Sequence, residues 1–292
     1  MPVKIYTISD LHIDYAGNLE HLLKLNDPDY ADASLIFAGD GSDNIDKLSM
    51  LLKHFVSIFK HVFFVPGNHE LWVRDHRHSH SIEKFDAIIH LCHTLGVHTH
   101  PVKLGKDDNS VWVVPLFSWY TKPEEGPDSL FVDKPGDDQT ELIWSDNHFC
   151  DWRPLEGRTT PTDYFLGLNN SRVNRKYDAP VITFSHFLPM CEVAFNLNHP
   201  PVFPKDFKDP MPEFNFTRVA GTNKLAKQVE KIGAQMHIFG HQHRNRHRKI
   251  NNITYISHCL GYPRERESSS WRGDDLPKLI WHNGEIEIDE AF

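Results

Sequence analysis

The sequence predicts an α/β fold built on a parallel βαβ core, and two observations carry that expectation. Short apolar runs rich in β-branched and aromatic residues alternate with segments of helical period through the first hundred residues. Five of these runs also end on a polar residue able to bind a metal, and ligands of parallel cores gather at the carboxyl ends of the strands.

The elements are read in order. Residues 3–8 and 35–38 read as strands. Residues 46–60 form a helix, because Leu48, Leu51, Leu52, Phe55, Val56 and Phe59 recur at helical spacing and make one apolar face. Residues 62–65 are the next strand. A second helix spans 81–95, with Ile82, Phe85, Ile89 and Cys92 on one side, a serine at its start and Gly96 just past its end. Strands follow at 111–116 and 181–184. A helix after Thr222 ends at Gly233, and strands return at 237–239 and 253–257. Two stretches break the rhythm: 117–180, rich in Pro, Gly and Asp, and the proline-rich 189–216. Loops of that length are uncommon in compact domains unless they act as lids or binding walls. The expectation is therefore one domain over 1–292 with irregular insertions at about 117–180 and 189–216.

Composition narrows the function classes. Hydrophobic residues at 39% and charged residues at 24% are ordinary for a globular chain and argue against disorder. No apolar run approaches a membrane span, and residues 1–10 enter a strand-like segment with no signal-peptide pattern, so a cytoplasmic protein is expected. Cys92, Cys150, Cys191 and Cys259 form no CxxC pair and read as buried thiols. A formal charge of −9 repels a polyanion, which argues against broad nucleic-acid binding but leaves a small phosphate held by metal open.

The chemistry lies at the five strand ends: Asp10 and His12 after 5–8, Asp40 after 35–38, Asn68 after 62–65, His186 after 181–184, and His241 and His243 after 237–239. This carboxylate, imidazole and amide set, without thiolate, suits manganese, iron or zinc. Seven ligands exceed what one tetrahedral zinc uses, whereas two divalent metal ions sharing one aspartate suit in-line displacement at phosphorus. The glycines before Asp40, Asn68 and His241 permit the close backbone approach such a cluster needs.

Taken in order, DxH at Asp10 and His12, GD at Gly39 and Asp40, GNHE at residues 67–70, the lone His186 and GHxH at residues 240–243 resemble the calcineurin-like metallophosphoesterase superfamily. The resemblance implies a four-layer α/β/β/α sandwich: two mixed sheets face to face, helices outside, and a dinuclear site at the carboxyl ends of the strands. It implies one metal on Asp10, His12, Asp40 and His243 and a second on Asp40, Asn68, His186 and His241, with Asp40 as the bridge. It further implies attack by a metal-bridging hydroxide, with His69 as the general acid that protonates the leaving oxygen. Asp43 matches an aspartate that orients that histidine in the protein-phosphatase branch.

That branch, however, follows its aspartate with Arg-Gly, where this chain has Asn44-Ile45, and it places glycines after the lone histidine, where this chain has Phe187. The pattern is closer to the cyclic-nucleotide phosphodiesterase branch. The expected function is a metal-dependent phosphoesterase acting on a small phosphodiester or phosphomonoester, with nucleotides among the candidates. A phosphoprotein phosphatase is the alternative. A non-catalytic scaffold of the same fold, like the resembling retromer subunit, would have lost ligands, and here every ligand position is filled. Arg74, Arg77 and Arg244 are the candidate phosphate contacts. Trp119, Tyr120, Trp144 and Trp152 read mainly as core of the inserted region.

Overall fold

The apolar runs of the sequence become the inner strands of two mixed sheets. The computed structural model describes residues 2–74, 77–138, 140, 142–195, 209, 211–267 and 276–287. In chain order its elements are β1 (Lys4–Ile8), α1 (Ala16–Leu22), β2 (Ser34–Phe37), α2 (Ile45–Ile58), β3 (His61–Phe64), α3 (Ser81–Leu95), β4 (Val102–Leu104), β5 (Val111–Pro115) and α4 (Ser145–Phe149). They continue with α5 (Pro161–Leu168), α6 (Asn170–Val173), β6 (Val181–Phe184), α7 (Asn223–Ile232), β7 (Met236–Phe239), β8 (Arg246–Ile250), β9 (Ile253–Ser257), α8 (Pro263–Arg266), β10 (Lys278–His282) and β11 (Glu285–Ile286).

The first sheet has the order β11-β10-β1-β2-β3, with β1, β2 and β3 parallel and β10 antiparallel to β1. The second has the order β4-β5-β6-β7-β9-β8, parallel from β5 to β9 with antiparallel strands on both edges. One apolar cluster runs through both sheets and their helices. It joins Ile5, Phe37 and Phe64 of the first sheet to Val113, Phe184 and Ile238 of the second, and to Leu51 and Phe55 of α2. A second cluster packs Leu225 and Val229 of α7 against Val114, Val181 and Phe239. Strands buried on both faces carry continuous apolar runs, which is why β2, β6 and β7 were readable.

Helix ends follow local chemistry. The Asn44 side chain accepts from the amides of Asp46 and Lys47 and starts α2, while Phe59 turns extended and ends it two residues before β3 begins. The 81–95 helix stands as read, closed by Gly96 at φ 74°, and α7 closes on Gly233 in the same way. The stretch 117–180 differs from its reading as irregular: it holds α4, α5 and α6. These helices have five, eight and four residues, too few turns to show a helical period. Of 189–216, residues 196–208 and 210 lie outside the described residues. The strands β4, β8, β10 and β11 were not anticipated either: β4, β8 and β11 lie at sheet edges with few buried positions, and β10, although inside its sheet, buries only Ile280 and Trp281.

Candidate metal centre

The two sheets bring the carboxyl ends of five strands to one place. Asp10 and His12 leave β1, Asp40 follows β2, Asn68 follows β3, His186 follows β6, and His241 and His243 follow β7. All except His241 and His243, which are part-exposed, are buried, and Asp10 and His186 are fully so. The chain turns sharply at each end: Asp10, His12, Asp40, His241 and His243 have φ of 52°, 41°, 57°, 71° and 51°. Left-handed backbone at side-chain-bearing residues is costly, and its concentration on five residues of one pocket marks a site held in shape by its surroundings.

Those surroundings are specific. Glu70, wholly buried, accepts the backbone amides of Asp40 (2.9 Å), Gly41 (2.6 Å), Ser42 (3.1 Å) and Gly67 (2.7 Å), tying the loop after β2 to the loop after β3. The amide of His69 donates to Asp40 Oδ1 at 3.0 Å, and that of His241 to Asp10 Oδ1 at 2.8 Å. The glycine at 67 is required by contact: a Cβ there would fall on Asp40 Oδ1 and lie 2.8 Å from the His186 ring.

The inward atoms form two groups that share Asp40. On one side, His12 Nε2 lies 2.9 Å from His243 Nε2 and 3.9 Å from Asp40 Oδ2, and His243 Nε2 lies 3.5 Å from Asp10 Oδ1. On the other, His186 Nε2 lies 3.2 Å from Asn68 Oδ1, 3.3 Å from His241 Nδ1 and 3.5 Å from Asp40 Oδ2. Carboxylate and imidazole atoms of Asp10, His12 and His243, of Asp40, His186 and His241, and of His12, Asp40 and His69 each lie within 4.8 Å of one another.

Three imidazoles are held from behind. His186 Nδ1 faces the Ala38 carbonyl at 2.9 Å, His241 Nε2 the Val219 carbonyl at 3.0 Å, and His243 Nδ1 the Glu265 carboxylate at 2.8 Å. A ring nitrogen facing a carbonyl carries the proton, so His186 Nε2 and His241 Nδ1 present lone pairs inward, whereas Asp10 and Glu265 on either side of the His243 ring raise it, against burial, to about 10. Lone pairs facing one another at these separations repel, and a cation between them turns the repulsion into bonding. Burial pushes His12 and His241 well below the usual imidazole range and lowers His186, so they are neutral and ready to ligate. Burial together with the neighbouring Glu70 and Asp10 pushes Asp40 well above the carboxylate range. The cluster thus lacks positive charge at the atom shared by both groups, and the donor set fits divalent metal.

His69 stands at the mouth, its side chain 16% exposed and its Nε2 3.8 Å from Asp40 Oδ2. Its ring stacks on Trp72, centroids 3.7 Å apart, beside His12 at 4.6 Å. Burial, with the charge of His243 nearby, holds it down to about 3. Among the described residues, Asp43 pairs with Arg74 (2.7 Å) rather than with His69. Arg74 also lies over the Phe149 ring and its charge reaches His69. Arg77 pairs with Asp46 further out, and Arg244 is exposed at the foot of β8. The arginines that follow it staple a neighbouring loop: Arg246 donates to the Val193 carbonyl and Arg248 to that of Glu192.

Four contributors escaped the sequence reading. Glu265 and Tyr262 come from the start of α8, with the Tyr262 ring 4.5 Å from His12 and 4.8 Å from His243. Trp72 follows the GNHE turn, and Asp146 lies in α4. A capping-like Tyr262-x-x-Glu265 spacing and the nearness of Trp72 to His69 were the available signals; Asp146 had none. Of the insertion aromatics, Trp119, Tyr120 and Trp144 are buried and Trp152 is half-buried. Trp119 stacks on Tyr120, and both meet Phe187, whose ring reaches His241 at 4.6 Å.

Comparison with known proteins agrees with this geometry. Residues 3–190 match the profile of the family described as calcineurin-like phosphoesterase. The chain is 26% identical over 287 residues to the [acyl-carrier-protein] phosphodiesterase PptH of Mycobacterium tuberculosis, covering 94% of this chain and 83% of that protein. The crystal structure of that phosphopantetheinyl hydrolase superposes with a TM-score of 0.72 at 22% identity, over 95% of each chain, which shows a shared fold.

Proposed function

Because this chain belongs to the calcineurin-like phosphoesterase family, and is thus a hydrolase acting on ester bonds, we propose that it is a phosphodiesterase using two divalent metal ions held by the cluster around Asp40. The observation that carries the reading is the pair of imidazole couples, His12 with His243 and His186 with His241, facing each other on either side of Asp40. Asp10, His12, Asp40 and His243 would hold one ion, and Asp40, Asn68, His186 and His241 the other. Manganese, iron and zinc all suit this donor set. When bound, the ions supply an acidified water and offset the charge gathering on the phosphoryl oxygens.

The chain's own side chains do the rest. His69 presents an N–H at the mouth to a phosphoryl oxygen, and as general acid it would deliver the proton of its imidazolium form to the leaving oxygen, a form that the negative charge of a bound phosphoryl group favours against the burial that holds the ring down to about 3. Trp72 holds the ring from one face, and its contact with Asp146 fixes Trp72 in turn. Asp43 acts at one remove, by holding Arg74 near His69, and Arg74 is the better placed of the candidate phosphate contacts.

The relative's printed name supports a protein-linked diester, a phosphopantetheinyl group on an acyl carrier protein, as the first substrate to try. Small diesters, nucleotides included, come next. No helix among the described residues is long and apolar enough to cross a membrane.

The test is hydrolysis of holo-acyl carrier protein, bis(p-nitrophenyl) phosphate and p-nitrophenyl phosphate by chelator-stripped protein, before and after adding back Mn2+, with Asp40→Ala as control. Metal-restored diester turnover that Asp40→Ala lacks is the expected result. Turnover of the monoester alone would overturn the diesterase reading, and metal-independent turnover would overturn the metal reading.

A further inference from the structure

Asn68 can serve as a ligand in only one of its two amide orientations. Its side chain presents an oxygen on one side and an NH2 on the other, the two are nearly the same shape, and only the oxygen can meet a cation. Something must tell the two orientations apart, and the structure supplies it from the opposite end of the chain's first half. Asp146, 6% exposed and in α4, accepts from Asn68 Nδ2 at 2.9 Å. A carboxylate only accepts, so the NH2 must face it. Asn68 Oδ1 is thereby turned toward His186 Nε2, 3.2 Å away.

The same oxygen, Asp146 Oδ1, accepts from Trp72 Nε1 at 2.7 Å, and the Tyr120 hydroxyl also bonds this carboxylate. Trp72 is the ring on which His69 stacks at 3.7 Å. One buried carboxylate therefore touches a proposed ligand itself and the residue behind the proton donor.

We infer that Asp146 is a positioning residue that fixes the amide of Asn68 for metal and the indole of Trp72 beneath His69. The inference deepens the proposed function and rests on it. It also gives the insertion at 117–180 a chemical part, since α4 delivers the acceptor. Val73 N donates to the Phe149 carbonyl at 2.7 Å and Asp151 N to Ser81 Oγ at 2.9 Å, so the C-terminal end of α4 is tied to the stretch between His69 and α3.

The test is Mn2+ binding by calorimetry to the chelator-stripped full chain, with kcat and KM on bis(p-nitrophenyl) phosphate. It compares wild type, Asp146→Ala, Asp146→Asn, Asn68→Ala and Asn68→Ala/Asp146→Ala. Outer partners of metal ligands alter affinity by roughly 10–100-fold, so Asp146→Ala should weaken one of two Mn2+ sites by at least about tenfold. Asp146→Asn, which keeps an acceptor oxygen, should recover most of that loss. In the Asn68→Ala background, Asp146→Ala should change Mn2+ affinity by less than about threefold, because its effect passes through the missing amide.

An Asp146→Ala protein with wild-type affinity at both sites overturns the inference. So does an equal loss with and without Asn68, which is what general loosening of the fold predicts. Should Asp146→Ala fail to fold, Trp72→Phe removes one donor and leaves the carboxylate. It should lower kcat with little change in KM or Mn2+ affinity, and an unchanged kcat overturns the role. Wild-type protein that binds no Mn2+ would overturn the metal reading beneath it, whereas wild-type binding with indifferent variants overturns only the part given to Asp146.

Discussion

Glu70 carries Asp40 on its carboxylate. Oε2 accepts the Asp40 amide at 2.9 Å and the Gly67 amide at 2.7 Å, while Oε1 accepts those of Gly41 and Ser42. Four donors converge on one buried anion, and the two loops that bear the shared ligand and Asn68 are locked to each other through it. Glu70→Gln keeps the shape but replaces one oxygen with an NH2 that faces amide N–H groups. Hydrogen bonds to charged groups contribute about 1.5–3 kcal/mol each, and orphaned buried donors cost more, so a loss of about 2–4 kcal/mol is expected. Urea unfolding of the metal-free protein measures it, and a change below about 1 kcal/mol would sink the argument.

Gly67→Ala should injure the centre more than the fold. The added carbon would land on Asp40 Oδ1 and beside the His186 ring, so relief must come from moving a ligand. Mn2+ affinity should fall at least about tenfold, in the range seen when the geometry around a metal is disturbed. Wild-type affinity in this variant would show that the loop can shift without cost.

How much of this was legible in the sequence follows from how each residue is held. The convergence of the seven proposed ligand positions could be read because each ends an apolar strand run, and local order alone puts them at one edge. Asp146 and Glu265 could not, because their roles depend on where short helices without a readable period come to rest. The same holds for β10, where only Ile280 and Trp281 are buried and no alternation marks the strand that pairs with β1. Asp43 shows the other limit. Its spacing from Asp40 matched a motif, but Arg74, 31 residues further along the chain, takes its carboxylate, a partner that spacing cannot reveal.

Acid should unfold the protein partly through His237. This residue sits fully buried on β7 between Thr183 Oγ1 (2.9 Å) and Ser185 Oγ (3.1 Å), and burial lowers its pKa to about 3. Folded, it stays neutral until pH nears that value, whereas unfolded it takes a proton near the ordinary imidazole value of about 6.5. Between the two the unfolded chain binds more protons. The stability His237 contributes is therefore whole above about pH 6.5 and is lost as pH falls below it, by up to about 1.4 kcal/mol per pH unit. His237→Asn, compared with wild type in urea titrations from pH 7 to pH 5, should show a slope smaller by about one proton. Equal slopes would mean that His237 is protonated in the fold.

Removing metal should loosen the fold, because the centre is strained without it. Five of its residues hold left-handed backbone, and the lone pairs of His186 Nε2 and His241 Nδ1 face each other at 3.3 Å. A cation that binds only the folded chain stabilises it by about 2.7 kcal/mol at a concentration one hundred times its dissociation constant. For a chain of this size each kcal/mol moves Tm by roughly 2–4 °C, so one saturating ion should raise Tm by roughly 5–10 °C over chelator-treated protein. His241→Ala, which removes one of the facing lone pairs and one proposed ligand, should raise the metal-free Tm relative to other ligand-to-alanine variants and shrink the Mn2+ shift. A metal-free wild type that melts at the same temperature as the Mn2+-loaded form, with metal removal verified by elemental analysis, would show that the facing imidazoles are not held together at a cost.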